Sequence, residues 1–261
     1  MALLNVCFHS EVLGKQVQMN VVLPQRSRGQ IGMKSIDEKV DTYPTLYLLH
    51  GMSDDYTIWE RRTSIERYAA DKNLAVVMPD GDLSWYTDMK FGGRYFTFLS
   101  EELPAVCRDL FPQLSQKRED TFVAGLSMGG YGAFKLAMRC PEAFSCTASL
   151  SGALDFGTFY DCMPPEFAYR IAGDRESEFT GGENDLFAVA RRLGESGRPR
   201  PRLWQWCGLE DSLLHDNHRM RDHLLALGYD LTYSESDGSH SWAYWDREIQ
   251  RVLNWLLPEK P

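Results

Sequence analysis

A serine in the sequence context of an enzyme nucleophile lies near the middle of the chain. Ser127 is the centre of a G-x-S-x-G pattern between Gly125 and Gly129, after a strand-like run at 121–124 and before a small-residue-rich helix start at 130–137. This strand–turn–helix context is typical of a nucleophile elbow, whose tight turn holds the serine in strained backbone dihedrals. A side chain at either glycine would collide with the neighbouring strand or helix. The pattern alone occurs by chance, so its weight depends on this context and on the partners that follow.

An acid and a histidine follow the serine along the chain. Asp211 lies in the polar turn after a strand-like segment at 201–207, and His240 lies in the turn after another such segment at 230–235. The order serine, acid, histidine, with the last two on loops after later strands, is that of the α/β-hydrolases. We therefore predict that His240 is the general base for Ser127 and that Asp211 orients and stabilises the imidazole.

Other interpretations of these two residues exist. Glu210 competes for the acid role, and we favour Asp211 because its shorter side chain matches the usual orienting carboxylate. An aspartate in a strand-to-helix turn is by itself most often an N-cap, and a histidine in a Gly/Ser loop is most often a solvated surface residue. Their joint occurrence in the required order favours catalysis. The remaining histidines fit the role less well: His9, His50, His215, His218 and His223.

His50 has a different predicted role. A buried strand at 45–49 runs into His50-Gly51-Met52. In an α/β-hydrolase the oxyanion hole takes one backbone N–H from the residue after the nucleophile and one from the loop after the third strand. We predict the N–H groups of Met128 and Met52 as these donors. The alternative is that His50-Gly51 is an ordinary exit from a strand.

The elements that would position these residues alternate between strands and helices. Eight strand-like segments occur, at 6–9, 16–23, 45–49, 74–79, 120–125, 146–150, 201–207 and 230–235. The first two predict an antiparallel pair, and the helical stretches between the others predict a parallel sheet. The sequence therefore predicts an α/β-hydrolase fold: one domain over 1–261, with an eight-stranded, mostly parallel sheet and helices on both faces. In the last helix a buried stripe includes Trp245, and we expect this residue and Trp242 to be core.

The segment 155–200 lies between the sixth and seventh predicted strands. Its aromatic residues are interleaved with Gly and Pro, which favours short helices folded as a small cap over a cleft rather than a long surface loop. We predict Phe159 in this segment, together with Trp85 and Tyr86 in the loop after the fourth strand, as substrate-binding residues. That loop emerges at the carboxyl edge of the sheet, where ligands bind in open α/β folds.

Composition limits the classes of partner. The 261 residues carry a net charge of −9, which disfavours nucleic acid and anionic membrane surfaces. No run approaches the roughly twenty apolar residues of a membrane span, and the N-terminal residues lack the features of a secretory signal. The six cysteines show no metal-ligand spacing, and four of them lie in apolar segments, where free thiols behave as small hydrophobes. This usage favours a reducing cytoplasm. We expect a small-molecule ester substrate, no metal and possible self-association. A zinc site at His215, His218, Asp222 and His223 would lack a closing ligand.

Several segments together resemble a known family. They are 48–52 (LLHGM), 84–88 (SWYTD), 125–133 (GLSMGGYGA), 207–211 (CGLED) and 240–246 (HSWAYWD). The chain resembles the bacterial tributyrin esterases of the esterase D-like group over about residues 4 to 257. This resemblance implies serine hydrolysis of short acyl esters without a cofactor. The sequence departs from the group at 25–44, which is long and charged, and at 155–200.

The predicted reaction is acyl transfer through an acyl-enzyme on Ser127, with water as the final acceptor. Acetyl, butyryl or hydroxycinnamoyl esters, some on carbohydrate, are the expected substrates. The same triad would serve an S-formylglutathione hydrolase or other thioesterase, or an acyltransferase in which an alcohol replaces water. A catalytically silent binding module is the interpretation from another class, but such proteins usually lose the serine or the histidine, and both are present here.

Overall fold

The structure, a computed structural model, describes residues 1–27, 29, 31, 41–173 and 180–258, without the side chains of residues 159, 161 and 162. Most of the charged segment 25–44 and part of the segment 155–200 therefore lie outside the described residues.

One eight-stranded sheet runs through the molecule in the order β1-β2-β4-β3-β5-β6-β7-β8. The strands are β1 (Ala2–Ser10), β2 (Lys15–Leu23), β3 (Thr45–Leu49), β4 (Ala75–Pro79), β5 (Thr121–Leu126), β6 (Cys146–Leu150), β7 (Arg202–Gly208) and β8 (Leu231–Ser236). The pairs β1–β2 and β2–β4 are antiparallel, and all other pairs are parallel. This arrangement is the α/β-hydrolase sheet, as predicted. The first strand begins at Ala2 rather than at Val6, because its side chains alternate between half-buried and exposed along its whole length.

The central strands are buried on both faces of the sheet, as parallel strands require. In β3, Tyr47 and Leu49 belong to the core on one face, whereas Leu46 and Leu48 belong to the core on the other. This alternation follows from the two-residue period of a strand. The continuous apolar runs of the sequence are thus explained by two cores that share one sheet.

Helices cover both faces. They are α1 (Ile58–Arg62), α2 (Ile65–Ala70), α3 (Tyr95–Thr97), α4 (Leu103–Leu110), α5 (Met128–Arg139), α6 (Phe156–Cys162), α7 (Pro165–Ala172), α8 (Leu186–Glu195), α9 (Leu214–Ala226) and α10 (Trp242–Leu256), with a π-helical segment at Phe98–Glu102 and a 3₁₀ turn at Arg118–Asp120. Helices α1, α2 and α10 pack on one face, and α4, α5, α8 and α9 pack on the other. Within the described residues, no helix is both long and apolar enough to cross a membrane.

Local signals explain several helix ends. Helices α6 and α8 begin after Asp155 and Asp185, and each carboxylate accepts two backbone N–H groups of the first turn. Helix α9 is followed by Gly228 at φ +70°, the left-handed conformation that favours glycine after a helix. Within its described residues, the segment between β6 and β7 forms α6, α7 and α8, and its interpretation as a cap over a cleft stays a prediction.

Candidate active site

The turn between β5 and α5 consists of Ser127 alone. Its backbone has φ +53° and ψ −119°, a conformation that a residue with a side chain adopts only at a cost. A Cβ added to Gly125 would lie 2.3 Å from the carbonyl oxygen of Gly129, and one added to Gly129 would lie 2.6 Å from the carbonyl oxygens of Leu49 and His50. Only glycine fits at both positions, because backbone occupies the space on each side of the turn.

His240 and Asp211 lie in one chain of hydrogen bonds with Ser127. The distance from His240 Nε2 to Ser127 Oγ is 3.0 Å, and His240 Nδ1 lies 2.9 Å and 3.2 Å from the two carboxylate oxygens of Asp211. An ionised carboxylate can only accept, so Nδ1 carries the proton and donates it to Asp211. Nε2 is then left to accept the hydroxyl proton of Ser127, which is the arrangement that a general base requires.

Asp211 is held in its ionised form. Burial by itself acts to raise the pKa of Asp211, but the hydrogen bonds from His240 and from the Leu213 N–H outweigh it and lower the pKa below its usual value. The Leu213 N–H lies at the start of α9 and donates to Oδ1 at 2.9 Å, so Asp211 also has the local role of an N-cap-like acceptor. The capping and orienting interpretations of this residue therefore describe two bonds of the same carboxylate.

Glu210 points elsewhere. Its carboxylate accepts the N–H of Gly238 at 2.6 Å, and its own N–H donates to the carbonyl oxygen of Gly238 at 2.9 Å. Gly208, at the end of β7, lies against the same glycine, because a Cβ on Gly208 would be 2.1 Å from the carbonyl oxygen of Gly238. Glu210 thus clamps the loop that carries His240, and of these two carboxylates it is Asp211 that contacts the imidazole.

Trp245 packs against the imidazole edge to face, with ring centroids 4.8 Å apart and planes at 89°. Its indole N–H donates to Ser151 Oγ at 3.2 Å, and the side chain is buried as a core residue. Trp242 contacts the rings of Trp245 and Trp59. The first turn of α10 therefore supports His240 from one side.

The turn after β3 lies beside the nucleophile. A Cβ on Gly51 would be 2.7 Å from the Leu126 side chain and 3.7 Å from Ser127 Cβ. Within the described part of the chain, no group accepts a hydrogen bond from the backbone N–H of Met52 or of Met128. Two unpaired donors on the segments that meet at Ser127 suit an oxyanion hole.

His50 is a buried structural residue of this turn. Its Nδ1–H donates to the carbonyl oxygen of Gly51 at 2.8 Å, and its Nε2 accepts the N–H of Gly81 at 2.9 Å. The hydroxyl of Tyr86 donates to the carbonyl oxygen of His50 at 2.8 Å. His50 therefore ties the turn after β3 to the loop after β4.

The structure places Trp85 and Tyr86 in the core, which does not match their prediction as walls of the substrate pocket. The side chain of Trp85 is 1% exposed and packs against Tyr131 and Phe156, and Tyr86 is 0% exposed. Both have left-handed backbones, with φ of +53° and +51°, and both side chains belong to the hydrophobic core. The third predicted pocket residue, Phe159, falls in α6, and its side chain lies outside the described residues.

Sequence reasoning missed a buried lysine. Lys135 lies on α5 and is 0% exposed; its amine donates to the carbonyl oxygen of Tyr86 at 3.2 Å and to Asn184 Oδ1 at 2.5 Å. Burial, with Arg139 acting in the same sense, lowers the pKa of Lys135 well below its usual value. The signal in the sequence was one charged residue within the otherwise uncharged run 128–138 of this helix.

Two of the three histidines of α9, His218 and His223, have partners elsewhere in the fold. His218 Nε2 lies 2.7 Å from a carboxylate oxygen of Glu235, and His223 Nε2 lies 2.8 Å from the carbonyl oxygen of Phe187. In the part of the chain that the structure describes, no three His, Cys, Asp or Glu side chains are arranged to hold a metal ion.

The segment between β6 and β7 borders a pocket of about 240 Å³. Leu154 and Phe156 line it on one side, and Arg219, paired with Asp155, closes another. Leu154 follows Ala153, whose N–H donates to the carbonyl oxygen of Ser127 at 3.1 Å. The residue before Leu154 is thus bonded to the backbone of Ser127, and the side chains that line this pocket do not include Ser127, Asp211 or His240.

A strained serine at the end of a central parallel strand, within reach of a histidine from a later loop, is the working geometry of serine hydrolases of the α/β-hydrolase fold. The protein belongs to this class. The family model described as "Putative esterase" matches residues 10–256, so the chain is a member of that esterase family and a carboxylic ester hydrolase.

Relatives agree with this assignment. An acetyl esterase of Caldicellulosiruptor saccharolyticus is 31% identical over 267 residues, covering 98% of each chain. The fluorophosphonate-binding serine hydrolase F of Staphylococcus aureus has a TM-score of 0.89 and 33% identity, covering 99% of each chain. The S-formylglutathione hydrolase FrmB of Staphylococcus aureus has a TM-score of 0.86 and 33% identity, covering 98% of each chain.

Proposed function

We propose that the protein hydrolyses short-chain acyl esters, with Ser127 as nucleophile, His240 as general base and acid, and Asp211 as the orienting carboxylate. The observation that supports this most directly is the continuous hydrogen-bonded line from Ser127 Oγ through the imidazole to Asp211. The strained backbone of Ser127 adds support, because such strain persists where function requires it.

Acylation follows from the proton positions. His240 Nε2 takes the hydroxyl proton of Ser127 as Oγ attacks the ester carbonyl, and the imidazolium that forms is stabilised by Asp211. The carbonyl oxygen becomes an oxyanion that accepts hydrogen bonds from the Met52 and Met128 N–H groups. His240 then gives its proton to the departing alcohol, and the acyl group is left on Ser127.

Deacylation repeats these steps with water. His240 removes a proton from the water, whose oxygen attacks the acyl carbon, and the same two N–H groups bind the second oxyanion. Collapse of this intermediate breaks the bond to Oγ and returns the proton to Ser127. The free acid leaves, and the enzyme is restored without any redox change.

The acetyl esterase relative supports small acyl groups as substrates. The relative named as an S-formylglutathione hydrolase supports a second candidate, hydrolysis of a small-acyl thioester. Both reactions use the same proton transfers, because only the leaving atom differs. We further propose that the segment 155–200 forms the cap that determines which ester is accepted, since it begins two residues after Ala153, whose N–H donates to the carbonyl oxygen of Ser127.

The test of the nucleophile is Ser127→Ala, with the exposed Ser64→Ala as a matched control. Ser127→Ala should lose on the order of a millionfold in turnover of p-nitrophenyl acetate and should not be labelled by a fluorophosphonate probe. Ser64→Ala should behave as wild type in both assays. Substantial turnover or labelling in Ser127→Ala would remove the assignment. A panel of p-nitrophenyl acyl esters, methyl ferulate, acetylated xylan and S-formylglutathione then separates the two candidate substrates by kcat/KM.

A further inference from the structure

The helix that follows the nucleophile carries a buried amine, that of Lys135, and among the described residues no carboxylate is bonded to it. Lys135 instead donates to two carbonyl-type oxygens, one on the backbone of Tyr86 and one on the side chain of Asn184. The aromatic rings of Phe96 and Tyr131 lie 5.2 and 5.5 Å from Nζ. Either protonation state of the amine can donate to these two oxygens, so the contacts do not depend on its charge.

Asn184 belongs to the segment between β6 and β7, so this amine joins that segment to the loop after β4. Tyr131 reinforces the junction, because its hydroxyl donates to the carbonyl oxygen of Asn184 at 2.8 Å. Two residues one turn apart on α5, Tyr131 and Lys135, therefore hold the same residue of the segment from the nucleophile helix.

The other end of the junction is a strained turn. Trp85 and Tyr86 are consecutive residues, and the backbone of each is in the left-handed region. This conformation is unfavourable for residues that carry a side chain, so it persists only where the surrounding structure holds it. The amine of Lys135 bonds the carbonyl oxygen of the second of them. The ring of Tyr86 lies tightly against Gly81 and Gly132, at distances where a Cβ on either glycine would come within 2.5 Å of it.

The hydroxyl of Tyr86 reaches the turn after β3. It donates to the carbonyl oxygen of His50, and burial raises the pKa of Tyr86 well above its usual value, so it is a donor at any working pH. The His50 carbonyl belongs to the His50–Gly51 peptide, and the peptide that carries the Met52 N–H is the next one along the chain. The carbonyl oxygen of that next peptide, on Gly51, accepts the Nδ1–H of His50 at 2.8 Å. The Tyr86 hydroxyl therefore holds one of the two peptides of this turn, and the His50 ring holds the other.

We propose that Lys135 and Tyr86 are positioning residues for the oxyanion hole. Through these two residues, the segment at Asn184 affects the direction in which the Met52 N–H points. The proposal rests on the function proposed above. Neither residue touches the substrate. Their substitution should lower kcat rather than raise KM. The oxyanion forms only in the transition state, and the bound ester makes weaker hydrogen bonds to the same N–H groups.

The variant that tests this is Tyr86→Phe, which keeps the buried ring and removes only the donor to the His50 carbonyl. Complete loss of an oxyanion donor costs about a hundred- to a thousandfold in kcat. A donor that is present but poorly aimed should cost less, and we expect kcat to fall about tenfold with KM changed by less than about twofold. Affinity for a trifluoromethyl ketone, whose adduct with serine carries the oxyanion, should fall by a similar factor.

Tyr229→Phe is the matched control. Tyr229 is also buried, and its hydroxyl donates to a backbone carbonyl oxygen, that of Ala190, at 2.7 Å. The two variants delete the same chemical group from the same kind of bond, but only Tyr86 is bonded to the turn after β3. Tyr229→Phe should lower the thermal midpoint as Tyr86→Phe does and leave kcat and inhibitor affinity unchanged.

Lys135→Met tests the inner part of the junction and should also lower kcat about tenfold. If the two residues act through one chain of contacts, the double variant should lose little more than the worse single variant, and independent effects would multiply. Tyr86→Phe carries the test if Lys135→Met does not fold.

The proposal is overturned if Tyr86→Phe keeps wild-type kcat, if kcat and inhibitor affinity fall equally in Tyr229→Phe, or if the losses of the double variant multiply. The function proposed above fails in a different way: the wild-type protein would then neither hydrolyse esters nor react with a fluorophosphonate.

Discussion

Asp211→Asn should show how much of the turnover depends on the orientation and tautomer of His240, because it leaves the other groups of the site in place. The substitution removes a charge and keeps the shape of the side chain. In the wild-type structure the Leu213 N–H donates to Oδ1 at 2.9 Å, and His240 Nδ1 lies 2.9 Å from Oδ2. An asparagine amide must place its oxygen at the first position, because the Leu213 N–H can only donate. Its NH₂ group then faces Nδ1.

That orientation reverses the tautomer of the imidazole. A donor opposite Nδ1 makes this nitrogen an acceptor, so the proton moves to Nε2, which can then no longer accept the proton of Ser127. The expected loss in kcat is about ten-thousandfold, equivalent to about 5 kcal/mol of transition-state stabilisation. Because Asp211 is buried and its backbone position is unchanged, KM should change little.

The assay is kcat and KM for p-nitrophenyl acetate, with the thermal midpoint measured in parallel. Glu210→Gln is the control, since it also changes a carboxylate to an amide at the neighbouring position. Gln keeps a carbonyl oxygen that can accept the Gly238 N–H, so its activity should stay within about threefold of wild type, the scale of one neutral hydrogen bond. Activity of Asp211→Asn within tenfold of wild type, or a larger loss in Glu210→Gln, would refute the reasoning.

Three further predictions follow from packing and charge. Gly129→Ala should lower the free energy of unfolding by about 1–3 kcal/mol and turnover about a hundredfold, because the new Cβ would lie 2.6 Å from backbone oxygens. Gly194→Ala in α8 is the control: its Cβ would meet nothing within 4 Å, so urea unfolding should show a gain of about 0.5–1 kcal/mol. Because its pKa is lowered in the folded state, ionised Asp211 stabilises the fold above the usual aspartate pKa of about 4, and this stabilisation is lost as the pH falls through the folded-state pKa. Between pH 5 and pH 2, the thermal midpoint of Asp211→Asn should therefore fall less steeply than that of the wild type, and equal slopes would contradict this. Trp85→Ala should cost about 3–5 kcal/mol of stability and lower kcat/KM equally for all esters, because the ring is buried in the core. Phe159→Ala should instead change the ratio of kcat/KM between acetyl and longer acyl esters, and the reverse pattern would restore Trp85 as a pocket residue.

Much of the fold could be read from local patterns. The apolar runs at 45–49 and 121–126 predict buried parallel strands, and the glycines at 125 and 129 predict the tight turn between strand and helix. The strand signal is reliable because a strand's two-residue period depends on neighbouring residues only. The glycine pattern indicates the tight turn, although the atoms that a Cβ on Gly129 would meet belong to Leu49 and His50, at the end of β3. The order of serine, acid and histidine along the chain likewise predicts which loops meet, since carboxyl ends of parallel strands share one edge.

Local patterns could not decide which of two adjacent carboxylates is the acid of the triad. Glu210 and Asp211 occupy the same turn, and side-chain length favoured Asp211 only by analogy with other enzymes. The structure separates them by contact: Glu210 bonds Gly238, and Asp211 bonds His240. This distinction depends on how β7 and β8 approach each other at Gly208, which no local pattern encodes.

The sequence by itself therefore determined the fold class, the nucleophile turn and the order of the reactive groups, because these follow from short-range geometry. Only the tertiary structure decided that Trp85 and Tyr86 turn inward and that Lys135 is buried between two segments distant in sequence. A left-handed backbone at a residue with a side chain, and an amine held in the interior, are unfavourable locally. They persist because contacts from several elements hold them, and those contacts exist only once the chain has folded.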